Sequence, residues 1–269
     1  MMDDPDRSAK GKRNTDGSAV ASLASQALSV LASRRLATDA RFAETMVQRL
    51  EHAVLDRNPD RRMSVLAELR AAGISDVQIA EELIPLVAAR LGDAWCEDNM
   101  SFVDVTIGSA RLQAMVRDLG APDPDPLDRK VGSVAVIVPQ DETHTLGALV
   151  LTNRLRRQNI LVRLFVGTRE TDVLDVLARS RYDAVLMSVS HSEKLAQVER
   201  YLTRIRQVLP VQTPIIVGGS VVDRGILVEK HLTADYITSD VEAVLYKCGL
   251  NIRNFATQAK TPANADSPS

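Results

Sequence analysis

Val134-Ala135-Val136-Ile137-Val138 runs through Pro139 and Gln140 into Asp141-Glu142-Thr143-His144-Thr145-Leu146-Gly147. An unbroken apolar run rich in β-branched residues reads as a strand buried on both faces. Ala148-Leu149-Val150-Leu151-Thr152-Asn153-Arg154-Leu155 follows with helical patterning. Strand, loop and helix together make the first crossover of an α/β fold. In open α/β sheets ligands are held beyond the carboxyl ends of the strands, which is where this loop lies. His144 brings an imidazole to that edge, and Glu142, two residues earlier, a carboxylate that can orient it. Gly147 has no side chain to block a close approach. The loop predicts a ligating imidazole, a carboxylate behind it and a gap for a large ligand.

Downstream the same texture repeats. Apolar runs Val162–Phe165, Ala184–Val189, Ile215–Val217 and Tyr236–Ile237 join Ser133–Val138 as five strands. Helical stretches lie between and after them, near 146–158, 170–180, 193–208, 222–231 and 240–248. Strands alternating with helices predict a parallel, doubly wound sheet with right-handed crossovers. Its loops place Glu142-Thr143-His144, Ser188-Val189-Ser190-His191 and Gly218-Gly219-Ser220 on one edge. Ser188 and Ser190 offer small hydroxyls, and the paired glycines let the backbone approach a bulky ligand.

Upstream, the periodicity is helical throughout. Residues 1–18 are polar and without period, and read as a disordered tail. Ser22–Ala37 carries a loose helical pattern. Phe42, Met46, Leu50 and Val54 keep a period of three to four residues. Pro59 suits the first turn of a second helix, which Gly73 ends, and Ser75 is an N-cap for a third. Gly92–Ser101 reads as a break, and Phe102–Leu119 as the last helix. This is a small bundle, and with the strands it predicts a helical cap over 19–120 beside an α/β domain over 131–250. Ala121-Pro122-Asp123-Pro124-Asp125-Pro126 cannot continue a helix and reads as the linker, 121–130, between them. Residues 251–269 read as a second disordered tail.

The bulk composition is that of a soluble globular protein: 269 residues, 45% hydrophobic, 25% charged. A formal net charge of -2 gives no overall basic footprint for nucleic acid. No run of apolar residues is long enough to span a bilayer, so no membrane is expected. The start, Met1-Met2-Asp3-Asp4-Pro5-Asp6, does not resemble a secretory signal. Two cysteines, Cys96 and Cys248, make no disulfide framework, and a cytoplasmic, reducing compartment is the expectation.

The motifs, taken in order, resemble the cobalamin (vitamin B12)-binding domains. That family carries Asp-x-His-x-x-Gly, then Ser-x-Leu, then Gly-Gly on a flavodoxin-like sheet. This chain has Glu142-Thr143-His144-Thr145-Leu146-Gly147, Ser188-Val189-Ser190 and Gly218-Gly219. The resemblance implies that His144 is the lower ligand to the cobalt of cobalamin and that Glu142 holds its other nitrogen. The displaced tail of the cofactor would pass Thr143, Thr145, Leu146 and Gly147 and run between Ser188, Ser190 and Gly218-Gly219. Glu in place of Asp adds one methylene, so a repositioned bond, or one bridged by water, is expected. The family's cap carries Gly-x-x-Trp, matched by Gly92-Asp93-Ala94-Trp95, which implies a place for Trp95 over the upper face. Two departures count. Val105-Thr106 stand where cobalamin photoreceptors of the transcription-factor type have Glu-His, so no upper histidine from the cap is expected. Ser190 stands where the family has Leu.

Each residue alone has a plainer reading. His144, Ser188, Ser190 and Gly218-Gly219 could serve only their loops, Trp95 the bundle core, and His191 an exposed surface. Cys96 reads as a buried inert thiol. A phosphoacceptor receiver would need an aspartate where Ser188 stands and a lysine where Ser239 stands. A dinucleotide site would need Gly-x-Gly-x-x-Gly after the first strand. Neither is present. With no second domain to hold a substrate, no catalytic residue is expected and the chain does not read as an enzyme. Among cobalamin proteins the resemblance is closest to the AerR/PpaA-type antirepressors. It implies a regulator that senses light or redox state through the corrinoid and acts on a repressor of photosystem genes. The partner implied is that repressor protein, with weak or indirect DNA contact left open. The alternative is a corrinoid methyl-carrier working with methyltransferases.

Overall fold

A computed structural model describes residues 42, 44–120, 132–191, 194–223, 232–238, 240, 241, 245, 246 and 248–250. The two tails, the Ser22–Ala37 pattern and the 121–130 linker lie outside the described residues, as does most of the last two helical stretches.

Five helical segments form the cap. Helix α1 covers 44–55 and α2 covers Pro59–Ala71. Asn58 caps α2 by accepting from the Asp60 N–H at 2.9 Å. Gly73 ends it with φ 84, so that the Ile74 N–H reaches back to the Leu69 carbonyl at 3.0 Å. Ser75 and Gln78 form a capping box at the start of α3, Asp76–Gln78. That helix passes without a break through a π-turn, Ile79–Leu83, into α4, Ile84–Cys96. Proline explains the turn. Pro85 has no N–H for the Glu81 carbonyl, and the Ile84 N–H bonds back to Ile79. The break expected over Gly92–Ser101 is confined to 97–101. Gly92 lies inside α4, and the stop comes at Asp98, which takes φ 58 while the Asn99 N–H bonds to the Ala94 carbonyl at 2.8 Å. Helix α5, Phe102–Asp118, then starts at the Ser101 cap.

The remaining elements alternate as read. They are β1 Gly132–Val138, α6 Leu146–Arg157, β2 Ile160–Val166, α7 Glu170–Arg179, β3 Ala184–Ser188, α8 Leu195–Val208, β4 Ile215–Gly218, α9 Ser220–Asp223 and β5 Tyr236–Ile237. All strand pairs are parallel, and the sheet order is β2-β1-β3-β4-β5. The order reverses between β1 and β3, and at such a switch point adjacent loops part to opposite faces and leave a crevice. The loops after β1 and β3 carry the candidate residues to that crevice.

Ala135, Ile137, Val185 and Met187 point to one face and pack on α7 and α8. Val134, Val136, Val138 and Leu186 point to the other and pack on α6. Helix α6 is buried on two sides. Its Ala148 and Leu155 meet the sheet, while Leu149 and Val150 join the core of the cap with Leu50, Leu91 and Leu112. Cap and sheet thus share an apolar cluster through this one helix.

Candidate functional site

The sheet edge converges on one carboxylate. Glu142 lies in the β1–α6 loop, with its N–H bonded to the Pro139 carbonyl at 2.9 Å, and its side chain is only 2% exposed. Its Oε1 accepts from the His144 backbone N–H at 2.9 Å and lies 3.1 Å from His144 Nδ1. Its Oε2 accepts from the Ser190 N–H at 3.0 Å and lies 3.5 Å from His191 Nδ1. Burial raises the Glu142 carboxyl, but the His144 ring, the two backbone N–H groups and the His191 ring outweigh it and hold it down at about 2. It is therefore ionised throughout the neutral range. An Nδ1–H donor to this carboxylate leaves Nε2 of His144 with its lone pair, on a side chain 61% exposed. Of the two expected outcomes, a repositioned bond or one bridged by water, the contact is direct and not bridged. The longer Glu side chain folds back over its own loop, so one oxygen meets both the N–H and the ring of His144.

Beside this pair a cavity of about 600 Å³ opens between α6, the sheet and the cap. Leu146, Gly147, Val150 and Arg154 of α6 form one wall, and Val136, Leu186, Ile216, Ser188, Gly218 and Gly219 the other. Glu81 and Pro85 of the cap close one side. The glycines serve different ends. A Cβ at Gly147 would meet nothing within 4 Å, so that position is open space beside the cavity. Gly219 has φ +105, and a Cβ there would press into the Val189 backbone. That conformation lets the Val189 N–H bond to the Gly218 carbonyl at 2.8 Å and ties the β3 and β4 loops together.

The structure brings most of the expected residues together and alters some roles. Ser190 is buried and contributes its N–H to Glu142, while its carbonyl lies 3.5 Å from the Ser220 hydroxyl. Thr143 is exposed, with its hydroxyl 3.5 Å from His144 Nδ1. Thr145 is buried, and its hydroxyl has no partner among the described residues. Trp95 does not line the cavity and is not bundle core; it is 48% exposed near the α4–α5 turn, followed by exposed Phe102 and Val103. Cys96, read as buried, is exposed.

Two features escaped the sequence reading. His191 reads as an exposed loop residue, yet it shares Glu142 with His144, the two rings 4.9 Å apart. Only the juxtaposition of the β1 and β3 loops makes that visible. Glu81, which no motif marks, is buried and pairs with Arg157 at 2.5 Å and Arg154 at 3.3 Å. Its signal was Pro85, four residues on. Proline cannot donate to the Glu81 carbonyl, which accepts from Arg154 at 3.2 Å.

No family model matches the chain. Among solved structures, the monomethylamine corrinoid protein of Methanosarcina barkeri aligns with a TM-score of 0.61, over 78% of this chain and 99% of that one, at 15% identity. This chain has the fold of that corrinoid protein. An uncharacterized 20.5 kDa protein from the bchF–crtJ intergenic region of Rhodobacter capsulatus is 29% identical over 185 residues, 68% of this chain and 96% of that protein. The HTH-type transcriptional repressor CarH of Myxococcus xanthus is 29% identical over 194 residues, 71% of this chain. The match spans 63% of CarH, less than two thirds of that repressor. Among the described residues no helix is long and apolar enough to cross a membrane.

Proposed function

We propose that this chain binds cobalamin through His144 and regulates transcription by relieving a repressor of photosystem genes in response to light or redox state. One observation carries the cofactor reading. A buried, ionised Glu142 holds the Nδ1 side of His144 and leaves Nε2 for a metal, beside a largely apolar cavity that Gly147 lines. Imidazole suits a transition metal such as cobalt, and the hydrogen bond to Glu142 raises its basicity. The cofactor's tail would lie in the cavity between Gly147 and Ser188, Gly218 and Gly219. When bound, the corrinoid supplies a cobalt whose upper ligand is sensitive to light and redox state. The chain's own residues bind, orient and shelter it.

The regulatory part is supported by CarH, a relative named as a transcriptional repressor, and by the relative named for the bchF–crtJ region. A near-neutral chain suits action through a protein partner rather than through bulk attraction to DNA. A methyl-carrier is the second reading, favoured by the fold match to a monomethylamine corrinoid protein.

Protein purified with added hydroxocobalamin should be coloured, and His144→Ala should shift the visible spectrum of the bound corrinoid. A protein that stays colourless with each common form of the vitamin overturns the cofactor reading. Repressor binding measured with and without cobalamin, in dark and in light, tests the regulatory part, and identical binding in all four conditions overturns it. Rapid demethylation of the methyl form by a methyltransferase would instead establish the carrier.

A further inference from the structure

We propose that Glu142, His144 and His191 form a site for a divalent first-row transition ion of the Zn²⁺ class when no corrinoid occupies His144. The three side chains come from two loops, and their ligand atoms lie within 4.8 Å of one another. The geometry is close to what such an ion needs. Zinc lies about 2.0–2.2 Å from nitrogen and oxygen ligands, so ligand atoms around a tetrahedral ion are about 3.4 Å apart. His144 Nδ1 lies 3.1 Å from Oε1 and His191 Nδ1 3.5 Å from Oε2, so the separations to the two oxygens of one carboxylate fall on either side of that value. The carboxylate is preorganised, because backbone N–H groups of His144 and Ser190 hold both oxygens. Both imidazoles remain open to solvent, at 61% and 37% exposure, so an ion has access and an open position remains for water. Two imidazoles and a carboxylate suit zinc and its neighbours rather than calcium or magnesium.

The tautomers give this site a consequence, which rests on the cobalamin reading above. With no ion bound, a ring donates Nδ1–H to Glu142 and keeps its lone pair on Nε2. An ion on Nδ1 moves the proton of a neutral ring to Nε2, with no net proton released. His144 then has no lone pair for cobalt. Ion and corrinoid compete for one imidazole through opposite nitrogens. By linkage each lowers the affinity of the other by the same factor.

Calorimetric titration of the cofactor-free full chain with ZnCl₂ tests the site. One ion per chain is expected, weakened by more than about tenfold in His191→Ala and in the near-isosteric Glu142→Gln. Circular dichroism reports whether each variant is folded. No binding, or binding that two folded variants leave unchanged, overturns the site. Cobalamin titration with and without saturating Zn²⁺ tests the competition. A lower apparent cobalamin affinity in zinc is expected for the wild type and is lost in His191→Ala; an unchanged wild-type affinity overturns the competition. Zinc bound by a protein that never takes up cobalamin upholds the ion site and overturns the corrinoid reading.

Discussion

At the scale of single residues, Glu142 sets the site. It is a buried anion with four contacts, and it stabilises the fold only while ionised. Its carboxyl is lowered from 4.5 to about 2, so its contribution is fully present above 4.5 and is lost as pH falls toward 2. Glu142→Gln replaces an oxygen with an amide nitrogen that meets a donor, either the Ser190 N–H or the His144 loop. We expect the variant to unfold at lower urea than the wild type at pH 7, and the gap to close between pH 4.5 and 2 in an acid series. A gap that persists at the acid end would mean the loss is one of packing. Gly219→Ala acts through backbone strain. Its positive φ and the Val189 backbone leave no room for a methyl, and a loss of about 1–3 kcal/mol is expected in denaturant unfolding.

At the scale of elements, the helix boundaries are set by caps that local sequence explains. Ser75→Ala removes one half of the capping box, and should cost about 0.5–2 kcal/mol by thermal or urea unfolding. The end of α4 shows how two readings of one rule diverge. Gly92 is a plausible stop, but this helix ends through a residue in the left-handed region, and Asp98 takes it. The π-turn before Pro85 was not anticipated, because helical periodicity is blind to a single inserted residue. The strands were legible because each is an apolar run between polar loops, and the observed bounds fall within two residues of those read from sequence.

At the scale of the molecule, cap and sheet are joined in two ways. Leu149 and Val150 of α6 lie in the cap's core, and Glu81 of the cap holds Arg154 and Arg157 of the same helix. Leu149→Ala should cost about 2–5 kcal/mol, and as a shared contact it should lower cap and sheet stability together. Glu81→Ala should cost about 1.5–3 kcal/mol by removing charged hydrogen bonds. Hydrogen exchange in both variants would show whether the cap opens first or with the sheet. Because Glu81 lines the cavity and holds Arg154, which lines it too, Glu81→Ala is also expected to alter cobalamin affinity.

The alternation of strands and helices, the loop carrying Glu142 and His144, and the glycines at the sheet edge are all written in the amino-acid order. These follow from local hydrophobic period, caps and turn residues, which act over a few positions. Folding in three dimensions is what brings His191 to Glu142 across 49 residues, and Glu81 to Arg157 across 76. Contacts between distant loops depend on the sheet order, which brings the β1 and β3 ends side by side, and no local pattern encodes which side chains then face each other. The exposure of Trp95 and Cys96 was decided in the same way, by which face of α4 the sheet and the other cap helices leave uncovered.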